Sequence, residues 1–150
     1  MTNVVRISTE SELTSIVNDI NNATWDDAND VCAYDEVSLK AYLEKEDTIF
    51  LVCYDDAENF LGMASGRIEL KPYDQESWLY VDEVDVCVDQ RRKGAGAAIM
   101  RKMLEIARQE NCEELWLGTE MDNVPANALY KSLTPSEVDA FMGYTFKPNR

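Results

Sequence analysis

The chain contains no histidine. That absence removes imidazole acid/base catalysis, Ser-His and Cys-His nucleophiles and histidine metal sites together. Its four cysteines, Cys32, Cys53, Cys87 and Cys112, are far apart and form no C-x-x-C pair. They fit reduced thiols of a cytoplasmic protein rather than a disulfide frame or a zinc site, so no metal is expected. Basic residues are scarce, 14 against 29 acidic ones, for a net charge of −15. Nucleic acid and anionic membrane both reward the opposite sign, which excludes them as expected partners. The longest apolar run, "IFLVCY" at 49–54, falls well short of the roughly 20 residues that span a bilayer. The opening "MTNVVRISTESEL" has no apolar core of a signal peptide, which again leads to a cytoplasmic expectation. Neither G-x-x-x-x-G-K-[ST] nor G-x-G-x-x-G occurs, so the common nucleotide loops are unsupported.

What remains is enough for one domain over 1–150. The length suits a single unit, and 45% hydrophobic residues can supply a core. "NVVRIS" (3–8) reads as a strand. Thr9 and Glu12 have capping-box spacing ahead of Leu13, Ile16, Val17 and Ile20, which predicts a helix over about 10–21. A second helix is expected over 38–46, tied to the core by Leu39, Tyr42 and Leu43. Strands at 48–54, 60–70 and 77–88 form an antiparallel meander. A helix over 94–109 and a strand over 114–119 follow, then a short helix over 125–133 with Pro125 in its first turn. A closing strand is expected over 140–147. Strand, helix, strand across 77–119 is a βαβ unit, so those two strands should be parallel. The fold class is therefore α/β (α+β): a mixed, mostly antiparallel sheet around a central βαβ unit, with helices on both faces.

"VDQRRKGAGAAIM" (88–100) concentrates the little positive charge there is. Six of the 14 basic residues lie within 91–108, opposed there by Glu105 alone. A strand that ends in a glycine loop and opens a helix is an anion site, because free N–H groups and the positive end of the helix dipole converge on it. Gly94 and Gly96 let the backbone approach a phosphate closely, and Arg91, Arg92 and Lys93 add mobile charge.

Taken as strand, R-x-x-G-x-G loop and helix, "YVDEVDVCVDQRRKGAGAAIM" resembles motif A of the GNAT superfamily of acetyl-CoA-dependent N-acetyltransferases. "NVPANALYKSL" is similar to the superfamily's N-x-x-A-x-x-x-Y element, with Asn123, Ala126 and Tyr130 at the matching offsets. "KPYDQESWLYVDEVDV" and "ALYKSL" resemble the aminoglycoside N-acetyltransferases, the 3-N-acetylating group above all, and "CEELWLGTEMDN" is similar to some 6′-N-acetylating enzymes. The chain departs from the pattern after Leu133, at "TPSEVDAFMGYTF". The resemblance implies acetyl-CoA as co-substrate. Its pyrophosphate would lie on the amides around Gly94, Ala95 and Gly96, and its pantetheine arm along the backbone of Val84 and Val86 as an added strand. Asn123 and Ala126 belong to the same cofactor side, although Asn123 is equally suited to capping the helix that follows it.

Acyl transfer to an amine needs that amine neutral, and a primary amine of pKa about 8–10 is mostly protonated near pH 7. Without histidine, the acids Asp82, Glu83 and Asp85 on the strand before the loop are the natural base. Strand alternation sets Asp82 on one face, with Glu83 and Asp85 on the other. The resemblance favours Glu83 as base with Asp82 behind it, and gives Tyr130 the role of general acid toward the thiolate. It also places a substrate wall on the segment holding Asp26, Asp27, Asp30, Asp35 and Glu36. Glu120 and Asp122 are further candidate contacts for a cationic acceptor, as is Asp35.

The expected activity is acetylation of a primary amine on a cationic small molecule, an aminoglycoside with the 3-N position favoured. A polyamine, an amino acid or a protein N-terminus is the alternative acceptor. A non-catalytic CoA-binding regulatory module, with a homodimer left open, is the alternative class.

Overall fold

The computed structural model describes residues 1–27 and 29–149. Its contacts divide the chain into two compact units, Met1–Gly118 and Thr119–Arg150.

The first unit is a five-stranded sheet in the order β1 (Thr2–Arg6), β2 (Thr48–Asp55), β3 (Phe60–Leu70), β4 (Ser77–Val86) and β5 (Glu114–Trp116). The first four pair antiparallel. The β4–β5 pair is parallel, as the βαβ pattern requires, with α3 (Ala95–Gln109) as the crossover. Helices α1 (Leu13–Asn22) and α2 (Glu36–Glu44) join β1 to β2.

The apolar run in β2 is continuous because both faces of the sheet are covered. Ile49, Leu51 and Cys53 enter one cluster with Leu61, Leu79, Val81 and the α3 residues Ile99, Met103 and Ile106. Phe50 and Val52 point the other way, among Ile16, Val17 and Ile20 of α1, Leu39 of α2 and Met63. Tyr42 and Leu43 pack on that second cluster, as expected for α2. Among the described residues no helix is long and apolar enough to cross a membrane.

Three local expectations are corrected. The Thr9–Glu12 capping box does not form: α1 begins at Leu13 and Glu12, at its N-cap, makes no side-chain cap bond. Serines compete for that turn instead. The Ser8 N–H donates to Ser11 Oγ at 2.9 Å, and the Glu10 N–H donates to Ser8 Oγ at 3.2 Å, the local side-chain bonding that hydroxyls offer in place of a helix start. Helix α2 starts at Glu36, ahead of 38, because Asp35 caps it by accepting the Ser38 N–H at 2.7 Å. No strand forms over 140–147. Helix α4 (Val124–Ser132) is the regular element of the second unit among the described residues. A lone β segment with no partner edge in its own unit lacks the pairing that stabilises a strand.

Candidate functional site

Strand β4 organises the site through one extra residue. In its ladder with β3, Ser65 faces Glu83 and Gly66 faces Val81, so Asp82 is left over as a bulge. The bulge resets the alternation. Leu79 and Val81 before it, and Val84 and Val86 after it, all pack against the α3-side cluster. Unbroken period-two alternation would have sent the second pair to the opposite face. Glu83 and Asp85 therefore share the α1–α2 side, as the sequence suggested. Asp82 is drawn off by an ion pair with Arg67, a guanidinium that also meets Glu69 at 2.7 Å and lies 4.9 Å above the Tyr80 ring.

The other edge of β4 is paired only at its start. Trp78, Leu79 and Tyr80 align with Glu114, Leu115 and Trp116, and there the β5 ladder ends. Beyond Tyr80 no strand in the described residues covers that edge, which includes Val84 and Val86.

After Val86 the chain makes a short 3-10 turn, Val88–Gln90, and enters the basic loop. Arg92 has φ 68°. Gly94 caps α3 at φ 81° with nothing within 4 Å of an added Cβ. Only glycine adopts that conformation without strain, and the open space in front of it leaves the N–H groups of the first turn approachable. No acid occupies that first turn. Arg92, Lys93 and Gly94 are exposed, and Lys93 Nζ donates to Gln90 Oε1 at 2.6 Å. Ala95 is buried and Gly96 half-buried at the base of the loop.

Arg91 is used differently. Its Nη1 lies 2.7 Å from Asp26 Oδ2, and its Nη2 donates to Asn29 Oδ1 at 3.3 Å. Asn29 in turn donates from Nδ2 to Asp85 Oδ1 at 3.0 Å. Asp85 is only 5% exposed, and its Oδ2 has no hydrogen-bond partner. Burial raises the Asp85 pKa, against the lowering effect of the Asn29 bond and the Arg91 charge. Glu83 is exposed, yet its pKa is also raised, first by desolvation and then by the charges of Asp85, Asp82 and Asp30. Tyr34 is pushed up to about 12 by burial and the same two carboxylates, Glu83 and Asp85.

Asp35 spends its carboxylate on Ser38, accepting from both N and Oγ, and the bond to the backbone N–H lowers its pKa. In the second unit, Asn123 caps α4, its Oδ1 accepting the Ala126 N–H at 3.2 Å. Asn127 donates to the carbonyls of Glu120 at 2.9 Å and Asn123 at 2.8 Å. Tyr130 is half-buried on α4, while Glu120 and Asp122 are exposed. All four cysteines are free thiols, and burial pushes Cys53 up to about 11 and Cys87 up to about 12. Among the described residues no group of three or more Cys, Asp or Glu is arranged to hold a metal.

Asn29 was not visible as a site residue. The signal was present in "DDAND", where Asp26 and Asn29 exchange side-chain-to-backbone bonds at 3.1 Å. Such Asx pairs are common turns, and nothing in the string says that the turn rests on β4.

The α/β domain thus brings together a bulged strand, the glycine-capped basic start of α3 that follows it, and two carboxylates on the α1–α2 side of that strand. The comparisons identify it further. Residues 13–134 match the model of the Acetyltransferase (GNAT) family, and the chain belongs to that family. It is 27% identical over 112 residues to N-acetyltransferase family 8 member 3 of Mus musculus, covering 73% of this chain and 49% of that protein. The rat protein of the same name is 26% identical over 124 residues, with 81% and 54% covered. The chain thus spans about half the length of the curated relatives it matches. In fold it is similar to an aminoglycoside acetyltransferase from an uncultured soil metagenomic sample, solved with sisomicin. The TM-score is 0.79 at 13% identity, over 97% of this chain and 95% of that one. A ribosomal-protein-alanine N-acetyltransferase from Brucella melitensis biovar Abortus 2308 has the same fold, with TM-score 0.69 at 14% identity over 98% and 99% of the two chains.

Proposed function

We propose that residues 1–150 act as one catalytic domain that moves the acetyl group of acetyl-CoA to a primary amine of a cationic small molecule, an aminoglycoside with the 3-N position favoured. The observation that carries this reading is the edge of β4 beyond Tyr80, which no strand among the described residues pairs with and which leads into the Gly94-capped start of α3. A pantetheine arm laid along that edge pairs with the backbone of Val84 and Val86 as a strand would. The pyrophosphate then reaches the amides at Gly94, Ala95 and Gly96, with Arg92 and Lys93 as exposed cations beside it.

Glu83 takes the proton of the acceptor ammonium. Its raised pKa brings it closer to the amine's than an ordinary carboxylate would be. The freed nitrogen attacks the thioester carbonyl, the C–N bond forms, the C–S bond breaks, and Tyr130 delivers a proton to the departing thiolate. Tyr130→Phe should lower kcat by roughly 10–1000-fold at unchanged stability. The net charge of −15 and the acids around Glu83 favour a multiply cationic acceptor. The similarity in fold to aminoglycoside acetyltransferases supports the same class.

The similarity in fold to a ribosomal-protein-alanine N-acetyltransferase keeps a protein N-terminus as the second reading. Thiol release from acetyl-CoA separates the two, with sisomicin, spermidine and an alanine-terminated peptide as acceptors. The proposal expects sisomicin to give the highest kcat/KM and the acetyl group to be found on its 3-amine. Preference for the peptide would move the assignment to protein N-termini. Acetyl-CoA binding with no amine acetylated would make the chain a CoA-binding module.

A further inference from the structure

We propose that Arg91, Asn29 and Asp85 are positioning residues of the acceptor side, a linked set that fastens the wall residues Thr24, Asp26 and Asn29 to β4 and the loop after it, and holds the Asp85 carboxylate beside Glu83. This rests on the reading of Glu83 as the base.

Arg91 occupies the first position of the R-x-x-G-x-G loop, where a phosphate contact is the simple expectation. Its guanidinium is instead taken up on the opposite side of the loop, by Asp26 at 2.7 Å and Asn29 at 3.3 Å. The main chain makes a parallel link, since the Val88 N–H donates to the Thr24 carbonyl at 2.9 Å. The wall is therefore moored to the segment between β4 and α3 by one backbone bond and one charged side chain.

Asn29 is the pivot. It accepts from Arg91 through Oδ1 and donates to Asp85 through Nδ2, so the cation on one side fixes which way the amide faces on the other. Asp85 then lies 5% exposed with Oδ2 unpartnered. A half-satisfied buried carboxylate is costly, and core packing alone would be better served by an apolar residue at this position. Its neighbours on β4 explain the retention. Asp85 and Glu83 are two residues apart on one face, and the Asp85 charge adds to the desolvation that raises the proton affinity of Glu83.

Glu83 is faced by Asp82 and Asp85 from β4 and by Asp30 and Tyr34 from the segment between α1 and α2, with Ser65 opposite it on β3. Asp85 is faced by Glu83 and Cys87 along its own strand and its end, by Asp26, Asp30 and Tyr34 from the segment between α1 and α2, and by Arg91.

The test uses Arg91→Ala, Arg91→Lys and Asp85→Asn in the full chain. Calorimetry with acetyl-CoA should show Arg91→Ala binding within about fivefold of wild type, the scale of a solvent-exposed ion pair. Amide hydrogen exchange over 24–30 should accelerate in Arg91→Ala while β2 and β3 stay protected, and Arg91→Lys should restore part of the protection. With the amine turned over fastest among sisomicin, spermidine and the alanine peptide, Arg91→Ala should lower kcat/KM for the amine by about 10–100-fold, the scale of a misplaced reacting group. The KM for acetyl-CoA should be little changed. Asp85→Asn should move the acidic limb of the pH–rate profile to lower pH, because a negative neighbour of Glu83 is gone.

A loss of acetyl-CoA affinity beyond about tenfold in Arg91→Ala, the scale of a charged hydrogen bond to phosphate, would make Arg91 a cofactor ligand and overturn the proposal. So would unchanged exchange over 24–30. If Glu83→Gln leaves the rate and its pH profile intact, the base assignment alone has failed. Calorimetry and exchange still judge Arg91 in that case.

Discussion

The two halves of β4 are one strand in name and two in behaviour. From Ser77 to Val81 it is paired with β3 throughout and with β5 over Trp78–Tyr80. Leu79 is fully buried, and the Trp78 and Tyr80 rings stack at 6.0 Å, with Trp116 a further 6.3 Å away. From Glu83 to Val86 its one strand partner among the described residues is β3; it carries two carboxylates with raised pKa values and leads into the loop. A single inserted residue, Asp82, divides them. A packed segment and a carboxylate-bearing one can share one strand because a bulge lets side-chain orientation be chosen separately on either side of it.

Glu83→Gln breaks the comparison most deeply. It should lower kcat by about 10²–10⁴-fold, the span of general base loss, with acetyl-CoA affinity and Tm essentially unchanged. Wild-type rate should climb with pH as Glu83 ionises, above its usual 4.5, and the variant should lose that limb. Activity should partly return in alkali, where the amine deprotonates unaided. Normal turnover would place the chemistry off this strand.

Leu79→Ala tests the other half. Emptying this fully buried site in the α3-side cluster should cost about 2–5 kcal/mol of stability, read by denaturant unfolding. The fraction still folded should retain its kcat. A catalytic defect in folded protein would mean that the division at Asp82 is not functional.

Gly62→Ala probes the β3 support of the chemical half. Its Cβ would lie 2.5 Å from the Asp85 carbonyl oxygen and 3.2 Å from Val86 Cα, both backbone, so β4 itself must move. A loss of about 1–3 kcal/mol is expected. It should be accompanied by weaker acetyl-CoA binding, because the displaced backbone includes Val86. Loss of stability with intact binding would separate Val86 from the cofactor.

Asp85→Asn should have the smallest effect, and the opposite sign on stability. The folded pKa of Asp85 is raised above its usual 3.8. Its favourable contribution is therefore complete below that value and is lost as pH rises through the folded pKa. At pH 7 the ionised side chain is a net cost. The amide should raise Tm by about 2–4 °C there, corresponding to ~1 kcal/mol in a chain of this size, with the gain fading toward pH 4. A lower Tm at pH 7 would show that the Arg91 network outweighs the burial.

Much of the first unit was legible because its patterns are local and redundant. The continuous apolar run of β2, the helical spacing in α1 and the glycine start of α3 each repeat one message over several residues. Legibility failed where two short-range partners competed. Ser8 and Ser11 displaced the Thr9–Glu12 box, and the Asp35 cap set the start of α2 ahead of the expected 38. It failed again at 140–147, where an alternating string has strand propensity but takes its structure from whatever edge it meets.

On its own, the sequence determined the apolar runs of the sheet, the parallel crossover and the position of the basic glycine loop, since each is written in neighbouring residues of the chain. The tertiary structure decided three things. It placed the bulge at Asp82, ended the β5 ladder at Tyr80, and directed Arg91 to Asp26 and Asn29 instead of leaving it to the loop. Each of these depends on which distant strand or turn a residue faces. Hydrogen-bond register and charge pairing are settled only when both partners are in place, because the gain from either must exceed the cost of removing polar groups from water.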